Sequence, residues 1–154
     1  MQAQDRPQPK PGPAPSININ KPQSFVLKNG LKVLVVENHK LPRVSFNLTL
    51  DNPPYAEGTK KGVSDILSSM IGNGTETMTK DAFNEEIDFL GANINFYASG
   101  ASANGLSRYS KRILELMADG TLNPLFVQEE FDKEKAKIIE GLKANEKSVP
   151  AVAS

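Results

Sequence analysis

Apolar and polar positions recur along this chain with two periods, and the switches between them mark out its elements. Phe25-Val26-Leu27-Lys28 and Leu31 to Val36 are apolar runs flanking Asn29-Gly30. Asn-Gly accepts the left-handed backbone of a tight turn between twisted strands, so the two runs predict a β-hairpin. Val44 to Leu50 alternates with period two, as a strand does when one face meets a core. Asp51 to Thr59, with Pro53, Pro54 and Gly58, reads as a loop. Val63, Ile66, Leu67 and Met70 then fall at i, i+3, i+4 and i+7, which predicts a helix with that face buried. Gly72 and Gly74 stop it, since neither opposes a left-handed cap. Asp65, Ser68 and Ser69 leave the same two turns on another side, and Asp65 and Ser69 stand one above the other.

The second half continues in the helical period with one interruption. Thr79 caps a helix through Leu90, with Phe83, Ile87 and Leu90 on one face and Gly91 at its end. Asn93 to Tyr97 is a strand, and Ala101 to Ser107 is its partner, weakened by Gly105. Lys111 to Asp119 is helical with Ile113, Leu114 and Met117 inward, and Asn123-Pro124 breaks it. The last helix runs from Val127 to about Lys147, with Phe131, Ile138 and Leu142 on one face and alternating charge elsewhere. Antiparallel strands with helices on one side give an α+β fold, an antiparallel sheet covered by helices.

The remaining composition narrows the function classes. At 154 residues the chain is long enough for one real core. Residues 1–22, with Pro7, Pro9, Pro11, Pro13 and Pro15, are expected to be an extended tail, and the domain to occupy 23–154. Lys and Arg number 18, as do Asp and Glu, so no electrostatic footprint points to nucleic acid. No apolar run approaches the length of a membrane span. The absence of cysteine excludes disulfides and thiolate metal sites. The Gln-rich, Pro-rich start reads as that of a mature exported bacterial protein whose signal peptide is removed, which predicts a periplasmic or secreted location; the other reading is a plain cytosolic polar tail. His39, the single histidine, precedes Pro42 on a surface loop. Ser64, Ser68 and Ser69 have no histidine in context, so nothing supports a serine triad.

The stretch from Gly62 to Thr75 resembles the inverted zinc motif of the pitrilysin/insulinase family, which includes mitochondrial processing peptidase. There a helix reads Gly-Val-Ala-His-x-x-Glu-His-Met, followed by a short apolar run and Gly-Thr. Two histidines bind zinc and the glutamate acts as general base. This chain matches the frame at Gly62, Val63, Met70, Gly74 and Thr75. It departs where the chemistry sits: Asp65 replaces the first histidine, Ser68 the base and Ser69 the second histidine. The hairpin, the loop acid at Glu57, Gly91-Ala92, and the Asn-Pro-x-Phe before Glu129-Glu130-Phe131-Asp132 also resemble the family. Aligning Asp132-Lys133-Glu134-Lys135 on the family's charged run puts the third ligand position at Gly141. Glu140 is adjacent, but one helical step of about 100° turns it elsewhere.

The resemblance spans Ser24 to about Lys147 and implies a truncated first domain of a longer, two-domain peptidase-like protein. No catalytic, cofactor or metal residue is expected, because zinc favours imidazoles and none is supplied. The leading expectation is a non-catalytic subunit that supports assembly and peptide binding with a catalytic homologue. The alternatives are a metallopeptidase with an atypical site built on Asp65 and Glu140, and a stand-alone binding or scaffold protein. Asp65, Ser68 and Ser69 are otherwise expected to be a solvated polar face.

Overall fold

The computed structural model describes Gly12, residues 21–53 and residues 56–146, without the side chain of Glu146. Most of the Pro-rich tail, Pro54 and the end of the last helix at Lys147 lie outside the described residues. The chain divides into two units, one ending at Leu41 and the other beginning at Pro42.

The first unit is the hairpin. Strands β1 (Gln23–Val26) and β2 (Lys32–Val35) pair antiparallel with Val26 opposite Lys32. The turn closes through the N–H of Leu27 on the carbonyl of Leu31 at 2.9 Å and of Gly30 on Leu27 at 2.9 Å. Gly30 takes the positive φ of 88° that the turn demands. His39 lies beyond β2, exposed and 3.3 Å from Glu37.

The second unit holds the core. Strands β3 (Arg43–Thr49), β4 (Asn93–Tyr97) and β5 (Gly100–Leu106) form an antiparallel sheet in the order β3-β5-β4. Helices α1 (Val63–Met70), α2 (Lys80–Phe89), α3 (Ser110–Leu122) and α4 (Gln128–Glu146) complete it, with a 3-10 turn at Ser107–Tyr109 before α3. The register sets two rows on the inner face, Phe46–Ala103–Ile94 and Leu48–Ala101–Phe96. Large side chains on the outer strands flank small ones on the central strand, leaving a trough that α3 fills with Ile113, Leu116 and Met117. Polar residues point the other way, with Ser45 opposite Asn104 and Asn95 opposite Ser102.

Gly105 has a different role from the weak point expected of it. A Cβ there would come 2.5 Å from Ile113 Cδ1, so the missing side chain is what admits the helix. The inward set of α3 is also corrected: Leu114 is 43 % exposed, while Leu116 is buried beside Ile113 and Met117. Gly120 completes the same face one turn later, and a Cβ there would overlap the Phe96 ring. Helix α2 is tied to α3 by a forked ion pair, Arg112 Nη2 to Glu86 Oε2 at 2.7 Å and Nε to Oε1. The guanidinium holds the Glu86 carboxyl below its usual range.

Candidate functional site: a degenerate motif helix

Helix α1 begins under a carboxylate. Glu57 Oε2 accepts the N–H of Gly62 at 2.6 Å and Oε1 accepts that of Ser64 at 2.8 Å. The first N–H groups of a helix have no partner within it, and an anion there also meets the positive end of the helix dipole. Hydrogen bonding from Ser64, through its hydroxyl first and then its N–H, lowers the Glu57 pKa, and Gly62 and Val63 add to this. The loop acid is thus the cap of the motif helix. Only an acid five residues before Gly62 hinted at this, since Glu57 is outside the usual capping positions.

The apolar face of α1 is less covered than its periodicity implied. Met70 is 5 % exposed, but Val63 is 42 % exposed and Ile66 and Leu67 are half-buried. With Phe126, Val127, Gln128 and Phe131 at the start of α4, these residues line an open groove of about 340 Å³.

The polar face differs from the solvated surface expected of it. Asp65 is exposed. Ser68 is half-buried: its Oγ donates to the carbonyl of Ser64 at 2.8 Å and accepts the N–H of Ala98, in the β4–β5 turn, at 3.0 Å. Ser69 Oγ donates back to the carbonyl of Ile66 at 2.9 Å, and the Ser69 carbonyl receives Asn73 Nδ2 at 2.9 Å. Gly141 lies ten residues beyond Phe131 on α4, about 15 Å along the axis. A Cβ at Gly141 would meet nothing within 4 Å, and Glu140 is exposed.

A zinc site of the kind the motif implies does not fit these residues. The four positions supply one exposed carboxylate, two hydroxyls already bonded to helix carbonyls, and a glycine with no donor. Among the described residues no three of His, Cys, Asp and Glu converge as a metal cluster.

The exit from α1 is tightly specified. Gly72 and Gly74 have φ of 92° and 101°. A Cβ on Gly72 would press to 2.6 Å from the Phe96 ring, and one on Gly74 to 2.9 Å from the backbone N of Lys80. Thr75 is 2 % exposed, and its Oγ1 accepts the N–H of Met78 at 3.0 Å and of Thr77 at 3.2 Å. Thr75 bridges to Pro124, so the end of α1 is fastened to the end of α3.

An insulinase family model, Peptidase family M16, matches residues 32–154. The chain belongs to the M16 peptidase family. An uncharacterized zinc protease of Rickettsia felis is 33 % identical over 119 residues, 74 % of this chain and 29 % of that protein. The β subunit of mouse mitochondrial-processing peptidase is 29 % identical over 141 residues, 88 % of this chain and 29 % of its own. Among solved structures, an M16 peptidase inactive domain from Pseudomonas fluorescens superposes with a TM-score of 0.74 at 24 % identity. It covers 86 % of this M16 chain and 34 % of its own length, and at that identity it speaks for the fold alone. The M16 chain therefore spans about three-tenths of the length of the curated relatives it matches.

Beside the motif helix is a second cleft of about 280 Å³ with a mixed polar and apolar wall. Ser68, Asn73, Asn84, Asn95 and Tyr97 line it together with Ile71, Phe83, Ile87, Ile94 and Phe96, where α1 and α2 approach β4. Sequence reading did not find it, because its asparagines come from three separate elements.

Proposed function

We propose that this chain acts in a non-catalytic M16 subunit, which supports assembly and peptide binding beside a catalytic homologue. The observation that carries this reading is a division along one helix. Gly74, Thr75 and Met70 hold close packing at its exit, while Asp65, Ser68, Ser69 and Gly141 provide no set of zinc donors and no base. A packed frame around absent chemistry favours a structural task over turnover.

Two further features support the peptide-binding part. Strand β4 is an edge of the sheet, and an extended peptide can add to such an edge through its backbone. The asparagine-lined cleft lies beside that edge. Relatives such as the mitochondrial-processing peptidase β subunit are named as subunits, which suits an assembled partner.

The test is assembly and activity together. The full-length protein is co-expressed with an M16 homologue that carries the intact His-x-x-Glu-His motif, and peptide cleavage is measured for each alone and for the mixture. The proposal requires co-purification, no cleavage by this protein alone, and a gain when both are present. Metal-dependent cleavage by the unmodified protein alone would overturn it.

A further inference from the structure

We propose that Ser68 is a latch that holds the β4–β5 turn against α1 and so fixes the mouth of the asparagine-lined cleft. Ser68 stands where the resemblance places the family's general base, but its hydroxyl is committed at both ends. It donates to the Ser64 carbonyl at 2.8 Å, which orients its oxygen to accept the Ala98 N–H at 3.0 Å. Ala98 follows Tyr97, and Tyr97 and Ser68 both line the cleft.

The turn is held from its other side as well. The Leu50 N–H donates to the Ser99 carbonyl at 2.8 Å. Gly100, at φ 147°, lies so close to β3 that a Cβ there would overlap the Leu48 carbonyl oxygen. Just past the end of α1, Gly72 sits against the Phe96 ring. The turn is therefore clamped to β3 on one side, and Ser68 supplies its hydrogen bond to α1 on the other. Ser68→Glu would restore a base-type residue and remove the latch, because an ionised carboxylate cannot donate to Ser64 or take the compact place of the hydroxyl.

Amide hydrogen exchange by NMR on the 154-residue chain tests this. Ser68→Ala is expected to speed exchange of the Ala98 N–H about three- to tenfold, the effect of losing one net hydrogen bond. Ser68→Thr, which keeps a hydroxyl, is expected to restore protection. Ser69→Ala, whose hydroxyl serves only its own helix, is expected to leave Ala98 unchanged. Unchanged Ala98 exchange in Ser68→Ala would overturn the latch, as would equal acceleration in Ser69→Ala. Acceleration reaching the Leu116 amide to the same extent would also overturn it, since Ser68 would then act on global stability alone.

Discussion

Helices α3 and α1 present the same apolar spacing to the molecule and end in different states. On α3, Ile113, Leu116, Met117 and Gly120 occupy i, i+3, i+4 and i+7, and all four are buried. On α1, Val63, Ile66, Leu67 and Met70 occupy the same offsets, and only Met70 is buried. The difference lies in the opposing surface. Central strand β5 offers Ala101, Ala103 and Gly105, over which α3 settles closely. The start of α4 offers Phe126 and Phe131, and the seam with α1 stays open as the 340 Å³ groove. Periodicity identifies an apolar face; the residues across from it decide how fully that face is covered.

The largest effect should come from the closed side. Ile113→Ala and Leu116→Ala are expected to cost about 2–5 kcal/mol in urea unfolding, because each empties a site with almost no exposure. On the open side, Ile66→Ala and Leu67→Ala should cost less, about 1–2 kcal/mol, because part of each side chain is already in water. Equal losses on both sides would mean that the α1–α4 seam is closed in solution.

Gly74→Ala probes the exit from α1, where its frame is most strictly set. The substitution brings a side chain to φ 101° and presses a Cβ on the Lys80 backbone, which cannot move independently of α2. A loss of about 1–3 kcal/mol is expected. Gly141→Ala, in open space on α4, should be neutral or stabilising, since alanine has the higher helix propensity. The pair measured side by side separates a frame glycine from a motif-position glycine.

Much of this fold was legible because local signals agreed with one another. Asn29-Gly30 placed the hairpin turn, Thr79 the cap of α2, whose Oγ1 takes the Ala82 N–H at 3.3 Å, and Asn123-Pro124 the end of α3. Misreadings fell where a residue's value depends on a distant partner. Gly105 looked like a defect until Ile113 was opposite it, and Gly120 carried no apolar signal although it completes a buried face. That Asp65, Ser68, Ser69 and Gly141 supply one carboxylate and no imidazole was visible in the residue types. The new commitments of Ser68 to Ala98 and of Glu57 to the α1 N-terminus were not, because they join residues that no periodicity relates.

Acid titration tests the start of α1. Hydrogen bonds hold Glu57 ionised below its usual range, so its contribution is fully present above the unfolded carboxylate range and fades as pH falls through its lowered value. Glu57→Gln should therefore lower stability at pH 7 and give a shallower loss of stability from about pH 5 downward. The slope should not vanish. Asp119 is also lowered, by Asn123 first, and Glu130, bonded to Lys80, is pulled to about 2. Urea midpoints at stepped pH for both proteins give the comparison, and parallel curves would remove Glu57 from the capping role.

The smallest effect separates Asp65 from its neighbours on the polar face. Ser68 and Ser69 are half-buried and bonded to backbone, whereas Asp65 is exposed in the first turn of α1. An acid there gains a few tenths of a kcal/mol from the helix dipole and little else. Asp65→Ala also improves helix propensity, which offsets that loss. The net change is expected to lie within about 0.5 kcal/mol, as for surface positions generally. Asp65→His should be equally quiet in unfolding and should bring no stoichiometric zinc by elemental analysis, since Ser68, Ser69 and Gly141 still offer it no second imidazole or carboxylate. A loss well above that at Asp65, or one zinc per chain in the histidine variant, would show that the motif face retains an organised site rather than one free acid beside two structural serines.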